Sequence, residues 1–402
     1  MSQHDELLAD KILTISKLPL IRCYRQTAAN HRLIIINQQL KSQLKMGKRK
    51  VICGVQQVGI GVRSVEEAWP WYRNIFGVDI KILGDVGVAE RMLPYTGGKP
   101  QPRYAILVIN LRGGGGFEVW EPRERELNYI QFTPEFGDYG IFACKVKSRD
   151  VRAAYEEMKK KGVNILTTPA PNPAGKEHFF IQDPWNNIFD IEADDYCFYN
   201  EDKNTGGNNG ATLGVSDMEK SIKFYGSIMD YDKVEYDVTD VFEDLKGVPG
   251  GQYKLRRVML TRSKPIEGPL SQVLGTSHIE LVQRIEEEGV PAPRKLYEGR
   301  LWGDPGFIHL CFDVRNMEEI RKASATMGHE FVCDSGRDFQ MGEADGHFTY
   351  IEDPDGTLIE FVETFKIPIM KKWGIYLHLA NRDDSKPLPA WILKCLRFMR
   401  TK

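Results

Sequence analysis

The stretch HLCFDVRNMEEIRKASATMGH, residues 309–329, has a pattern that recurs three times earlier in the chain. A short apolar run predicts a β-strand, and the amphipathic segment after it predicts a helix. Runs rich in β-branched and aromatic residues follow each helix and predict three further strands. The earlier copies are QVGIGVRSVEEAWPWYRNIFGV (57–78), IFACKVKSRDVRAAYEEMKKKGV (141–163) and GATLGVSDMEKSIKFYGSIMDY (210–231).

Each repeat also has an acidic residue in its last predicted strand. These residues are Glu118, Asp190, Glu280 and Glu360. The turns Asp183-Pro184-Trp185-Asn186 and Asp353-Pro354-Asp355-Gly356 precede the second and fourth acids at the same spacing. The sequence therefore predicts an α+β protein of four βαβββ modules.

We expect consecutive modules to pair, because the polar, glycine-rich NEDKNTGGNNG (200–210) resembles a linker between two halves. The predicted organisation has four parts. They are a basic N-terminal extension (1–50), a first domain (51–200), a second domain (201–365) and a basic, aromatic C-terminal tail (366–402).

Composition excludes several classes of protein. The net charge of the 402 residues is −2, and the excess of Lys and Arg is confined to the two flanks. The repeat region has no basic surplus, so we expect no nucleic-acid partner. No apolar run approaches the ~18 residues of a membrane span. Seven cysteines without a CxxC pair favour reduced thiols and a cytoplasmic location.

The four modules and the DPxG…E ending resemble the vicinal oxygen chelate superfamily, which includes glyoxalase I, extradiol dioxygenases and bleomycin-resistance proteins. The resemblance covers Val51 to Phe365. It implies that two βαβββ units curl into one open barrel. It also implies a metal inside that barrel, held by residues of the first and last strands of each unit.

The family's ligand positions, carried onto this chain, give one candidate site in each predicted domain. The C-terminal set is His309, Glu280 and Glu360, with Gly210 at the fourth position. The N-terminal set is Gln57, Glu118 and Asp190, with Ile141 at the fourth position. One imidazole and two carboxylates suit a divalent ion such as Zn, Ni, Co, Mn or Fe(II). The N-terminal set has no nitrogen ligand of this kind, so we expect weaker binding there.

The resemblance implies a metal-dependent lyase or isomerase that chelates two vicinal oxygens of a small substrate and stabilises an enediolate or enolate. His278 and Glu280 are the candidate bases, because a strand places both on one face. Tyr350 is a third candidate catalytic residue. Its stretch Tyr350–Glu360 is similar to the extradiol dioxygenase ending, so a ring-cleaving dioxygenase stays open. A metal-free protein that binds or sequesters a small molecule is the other alternative.

The C-terminal tail has too much apolar surface for a disordered segment. Apolar and basic residues alternate at helical spacing between Ala390 and Met399. We expect a strap that packs on a barrel or on the second subunit of a homodimer. A helix at an anionic membrane surface is the alternative interpretation.

Overall fold

The structure, a computed structural model, describes residues 48–341, 344–370, 374–380 and 382–401. Residues 1–47 of the predicted N-terminal extension lie outside this range. Residues 50–402 form one compact unit. None of the helices within the described residues is long and apolar enough to cross a bilayer.

The four predicted βαβββ modules are present. In the first half, the strands are β1 (Val51–Gly61), β2 (Ile80–Ala89), β3 (Gln101–Ile109), β4 (Gly116–Pro122), β5 (Gly140–Ser148), β6 (Asn164–Ile165), β7 (Ala170–Pro171), β8 (Glu177–Gln182) and β9 (Ile188–Ala193). Its helices are α1 (Val65–Phe76) and α2 (Val151–Lys160). Helix α1 begins after the N-cap Ser64, whose side chain accepts from the Glu67 amide, and ends at Gly77 with φ 63°.

The second half repeats this order. Its strands are β10 (Thr205–Gly214), β11 (Lys233–Asp240), β12 (Leu255–Thr261), β13 (His278–Arg284), β14 (Gly306–Arg315), β15 (Cys333–Asp334), β16 (Phe339–Met341), β17 (Ala344–Glu352) and β18 (Leu358–Met370). Its helices are α3 (Met218–Met229), α4 (Ser271–Leu274) and α5 (Met317–Thr326). The α+β class and the four βαβββ modules predicted from the sequence are confirmed.

The pairing of the modules differs from the prediction. One sheet has the order β15-β17-β18-β14-β1-β4-β3-β2 and so combines the first and fourth modules. The other has the order β11-β12-β13-β10-β5-β9-β8-β6 and combines the second and third. The first strands of paired modules run antiparallel at the centre of each sheet. The expectation that consecutive modules within 51–200 and within 201–365 share a sheet is therefore wrong.

The glycine-rich segment interpreted as a linker explains the difference, because its residues 205–210 lie inside β10. Its backbone pairs with the GGGG run at 113–116 of the other sheet: the amides of Gly207 and Asn208 donate to the carbonyls of Gly113 and Gly115. A Cβ on Gly207 would lie 2.4 Å from the Gly115 carbonyl oxygen. Glycine is required there so that the two sheets can approach.

Two matched hydrogen bonds join the sheets through the Asp-Pro turns. The Tyr72 hydroxyl on α1 donates to Asp183 Oδ2 at 2.7 Å. The Tyr225 hydroxyl on α3 donates to Asp353 Oδ2 at 2.9 Å. In each case the helix belongs to one sheet's module and the turn to the next module along the chain. These contacts hold consecutive modules together although they lie in different sheets.

The C-terminal tail packs on the first sheet, as the strap interpretation expected. Strand β19 (Ile375–His378) pairs antiparallel with the end of β18, and a short helix, α6 (Ala390–Lys394), follows. Four leucines of the tail are buried in one cluster with Val51, Ile80 and Ile109 of the sheet. They are Leu379, Leu388, Leu393 and Leu396. Trp373, one of the apolar residues of the predicted tail, lies outside the described residues.

Candidate metal centre

The curled first sheet brings four of the predicted site residues together at its middle. They are Gln57 on β1, Glu118 on β4, His309 on β14 and Glu360 on β18, and all four are buried. Because β4 and β18 each run parallel to the first strand of their own module, the last-strand acids lie beside the first-strand positions. The antiparallel β1–β14 pair then places the two module sites face to face.

The donor atoms converge on one point. His309 Nε2 lies 3.2 Å from Glu118 Oε2 and 3.1 Å from Glu360 Oε2. Gln57 Nε2 donates to Glu360 Oε2 at 3.4 Å. Within the described residues, Glu118, His309 and Glu360 form the one group of His, Cys, Asp and Glu side chains whose donor atoms meet in this way, all within 4.8 Å of one another.

Several of these closely spaced side-chain atoms form no hydrogen bond. Gln57 Oε1, Glu118 Oε2 and both ring nitrogens of His309 are buried without a hydrogen-bond partner among the described residues. Buried polar atoms of this kind are normally satisfied, and leaving one unsatisfied costs about 1–3 kcal/mol. Buried ligand atoms that lie this close together without hydrogen-bond partners are the arrangement that a bound cation satisfies. The residues present therefore fit a divalent metal ion.

The electrostatics agree with this geometry. Burial lowers the pKa of His309, but the carboxylates of Glu360 and Glu118 outweigh burial and raise that pKa to about 9. Two buried carboxylates thus favour a positive charge at the His309 nitrogen. A divalent ion coordinated there would supply such a charge, and its binding would depend on a deprotonated imidazole.

Tyr350 lies beside this group, on β17 directly opposite Glu360. Its ring packs edge-on against the His309 imidazole, with centroids 5.5 Å apart. Burial and the neighbouring Glu360 raise the pKa of Tyr350 well above its usual value. The tyrosine is therefore neutral and lies beside one carboxylate of the centre.

A cavity of about 370 Å³ opens from the centre. Gln57, Glu118, Tyr350 and Glu360 are among its lining residues. Its walls are mainly apolar and include Met92, Trp120, Trp302 and Phe348. The volume is that of a small-molecule site.

Three predicted site residues lie elsewhere, in the second sheet. Glu280 was predicted as a ligand beside His309 and Glu360, but it is fully buried on β13 and bound by Lys145 and Arg257. Asp190, predicted to join Gln57 and Glu118, contacts Lys145 and His178. These groupings are wrong because modules pair across the two halves of the chain.

His278 also lies in the second sheet. It is on β13, and its Nε2 is 2.6 Å from Glu192 Oε1. It does not contact the first centre, so it cannot complete a set with His309 and Glu360.

The family resemblance placed one ligand position on the first strand of each module, at residues 57, 141, 210 and 309. Three of these four positions are equivalent in the structure. Each last-strand acid pairs with a first-strand residue: Glu118 with Gly59, Glu280 with Thr212, and Glu360 with Cys311. Gln57, Gly210 and His309 each lie two residues before that partner.

In the second module the pairs are Lys145 with Asp190 and Ala143 with Ile188. Ala143, not Ile141, therefore occupies the ligand position. A slip of two residues keeps a side chain on the same strand face, so the apolar pattern does not reveal it.

Sequence reasoning missed Lys145, Glu192 and Arg257, which are buried around Asp190 and Glu280. One feature of the sequence does indicate which modules pair. Positions 57 and 309 carry ligand-type side chains, whereas positions 141 and 210 do not. If the first and fourth modules pair, their four ligand positions all carry a possible metal ligand. Both positions without a ligand side chain then fall in the pair formed by the second and third modules.

The fold and this buried donor set define a two-sheet protein built from βαβββ modules around one candidate metal centre. The sequence model of the Glyoxalase/Bleomycin resistance protein/Dioxygenase superfamily matches residues 54–191 and 209–361, and the chain belongs to this superfamily. Among curated protein sequences there is no significant match.

Several solved structures are similar to this chain at low sequence identity. Glyoxalase I from Zea mays is 17% identical over 78% of this chain and 92% of its own, with a TM-score of 0.47. The Mn(II)-bound glyoxalase from Novosphingobium aromaticivorans is 13% identical over 84% of this chain and 96% of its own, with a TM-score of 0.27. A mutant 4-hydroxymandelate synthase from Streptomyces coelicolor is 10% identical over 87% and 98%, with a TM-score of 0.29.

Proposed function

We propose that the protein is a divalent-metal-dependent lyase or isomerase that acts on a small molecule with two adjacent oxygens. The observation that carries this proposal is the convergence of Glu118, His309 and Glu360 on one buried point, with Gln57 beside them and a cavity leading to it. Superfamily membership supports the same conclusion.

The donor set narrows the chemistry. Two carboxylates, one imidazole and one amide oxygen suit Zn, Ni, Co, Mn or Fe(II) with positions left for substrate oxygens. Such an ion supplies Lewis-acid stabilisation of negative charge that develops on two adjacent oxygens. The dioxygenase alternative has less support, because non-haem Fe(II) oxygenases use two histidines and one carboxylate. Among the described residues, His309 is the one imidazole at this centre.

The two carboxylates have different surroundings, which assigns them different roles. Glu360 accepts a hydrogen bond from Gln57 Nε2 and lies directly opposite the neutral Tyr350 on β17. Glu118 Oε2 has no hydrogen-bond partner. We assign Glu360 to binding the metal and Glu118 to alternate between binding and accepting the substrate proton. Tyr350 is a positioning residue that acts through Glu360.

The walls of the cavity serve the same reaction. A proton transfer next to a carbonyl proceeds through a charged species, and excluding water strengthens every interaction with that charge. Trp120 and Trp302 pack with centroids 4.2 Å apart, and Trp302 continues the contact to Tyr350. This aromatic surface lies against the metal centre and shields it on one side.

Two measurements on the purified full-length protein test the proposal. Elemental analysis should find about one divalent metal per chain. Incubation in D₂O with small α-hydroxyketones and α-hydroxyaldehydes, followed by NMR, should show metal-dependent exchange of the hydrogen next to the carbonyl. We expect Glu118→Gln to abolish exchange.

The control is Glu219→Gln, which removes an exposed carboxylate outside the centre. It should leave both metal content and exchange in place. Protein that retains no metal but binds such compounds would contradict the proposal and support the metal-free binding alternative. Oxygen uptake with catechols would support the dioxygenase alternative instead. A homodimer and a cytoplasmic location stay predictions.

A further inference from the structure

The centre of the second sheet has three buried carboxylates that converge on one lysine. Lys145 Nζ lies 2.7 Å from Asp190 Oδ2, 2.9 Å from Glu280 Oε2 and 3.5 Å from Glu192 Oε2. All four side chains are at most 1% exposed. The superfamily fold implies a second metal position here, so the question is what the residues can hold.

Two of the four ligand positions have no ligand side chain, because Ala143 and Gly210 occupy them. The other two ligand positions carry Asp190 and Glu280. Asp190 corresponds to Glu360 of the first sheet, and Glu280 corresponds to Glu118. A metal would therefore have to displace Lys145 from both remaining acids. The described residues at this centre do not fit a metal ion.

The outer oxygens of the three carboxylates are already satisfied by protein donors. Glu280 Oε1 accepts from the Tyr236 hydroxyl and from Arg257 Nε, each at 2.7 Å. Asp190 Oδ1 contacts His178 Nδ1 at 2.8 Å, and Glu192 Oε1 contacts His278 Nε2 at 2.6 Å. The first centre differs, because several of its possible metal-ligand atoms have no hydrogen-bond partner.

We propose that the Lys145 ammonium takes the place of a metal ion in the second sheet, which makes this centre a metal-independent structural element. The inference rests on the proposed function in that the first centre is the metal site of the chain. Lys145 lies on β5, whereas Asp190 and Glu192 lie on β9 and Glu280 on β13. The ammonium therefore joins the two modules of this sheet at their shared centre.

The electrostatics support this assignment. Burial alone lowers the pKa of Lys145, but the carboxylates of Asp190, Glu192 and Glu280 overcome it and raise that pKa well above its usual value. Removing one partner of such a group leaves uncompensated buried charge, which is strongly destabilising.

The first test counts metal ions in the full-length protein loaded with Mn²⁺ and passed through a desalting column. We expect one ion per chain in the wild type and none in the double variant Glu118→Gln, Glu360→Gln. One ion retained by the double variant would overturn the inference. No ion in either protein would instead overturn the proposed function and leave the second centre metal-free, as inferred.

The second test removes Lys145 in that double-variant background. Lys145→Ala should lower the melting temperature, and added Mn²⁺ should restore part of the loss with one ion bound per chain. Without the ammonium, the three carboxylates are the groups that a divalent cation can bridge.

Lys147→Ala is the matched control, because Lys147 is equally buried but contacts a single carboxylate, that of Asp194. Its melting temperature should not respond to Mn²⁺. A Lys145→Ala protein that is equally unresponsive, or that fails to fold with and without Mn²⁺, would contradict the replacement of metal by ammonium. A protein recovered only in Mn²⁺-supplemented medium would support it.

Discussion

Glu118 Oε2 lies 3.2 Å from His309 Nε2, although the two residues belong to the first and fourth modules. The centre therefore joins the two ends of the repeat region. We predict that Glu118→Gln and Glu360→Gln each lower the affinity for a divalent metal by at least about 100-fold, because changes around metal ligands already cost 10–100-fold. Titration calorimetry of the metal-depleted protein measures this. Loss in only one of the two variants would contradict a shared site.

Metal binding should also stabilise the fold. An ion that binds only the folded chain contributes about 2.7 kcal/mol at a free concentration 100 times its Kd. We expect saturating Zn²⁺ or Mn²⁺ to raise the melting temperature of the wild type by several degrees and a chelator to reverse the change. The shift should disappear in the Glu118→Gln, Glu360→Gln double variant. An equal shift in that variant would mean that the ion acts at another place.

Tyr350 should affect turnover more than metal content. Tyr350→Phe removes the hydroxyl of the residue that faces Glu360 across the sheet but keeps the ring that packs on His309. We expect metal content near that of the wild type and a kcat reduced by about 10-fold, as for loss of one polar interaction of ~1–1.5 kcal/mol. Steady-state kinetics with the substrate found by hydrogen exchange checks this. A raised KM with unchanged kcat would show instead that Tyr350 binds substrate.

The turn aspartate Asp353 should make stability depend on pH. Burial raises its pKa to about 6, against the hydrogen bonds from the Thr357 amide and the Tyr225 hydroxyl. The folded chain thus binds this proton more tightly than the unfolded chain, whose Asp has a pKa near 3.9. Its stabilising contribution is present at low pH and lost as pH rises through about 6.

Asp353→Asn removes this dependence. An amide can accept the backbone hydrogen bonds of the turn and donate to Tyr225. We expect the variant to be at least as stable as the wild type at pH 7.5 and to lose that advantage at pH 5. Urea unfolding of both proteins at the two pH values measures the difference. A difference that is the same at both values would show that Asp353 keeps an ordinary pKa in the folded chain.

The C-terminal tail offers a matched pair of substitutions. Leu388 is fully buried in the cluster that the tail shares with the first sheet, whereas Trp391 is 70% exposed. Leu388→Ala should lower the free energy of unfolding by about 2–5 kcal/mol. Trp391→Ala should change it by less than about 0.5 kcal/mol. Equal effects would contradict the packing of the strap.

The same pair tests the membrane alternative for the tail. If the tail served a membrane surface, Trp391→Ala would weaken binding to anionic vesicles, as measured by sedimentation. Wild-type protein that does not bind these vesicles would leave the strap as the tail's role.

The sequence by itself determined the four modules, their helices and the acid in each last strand. These features depend on local rules: a strand alternates with period 2, an amphipathic helix with period 3.6, and caps such as Ser64 and Gly77 mark helix ends. It also determined the ligand types Gln57, Glu118, His309 and Glu360, since the repeats align them. It could not distinguish Ile141 from Ala143, because both positions lie on one face of β5.

Only the tertiary structure decided which modules share a sheet. The four first strands hold the same place in their modules, so the repeat alone allows any two to pair at the centre, and the choice depends on distant backbone contacts such as Gly207 against Gly113. That choice places His309 beside Glu118 and leaves Glu280 to Lys145. The strand sequences allow either partner, whereas long-range packing permits one, and the chemistry of each centre follows from that packing.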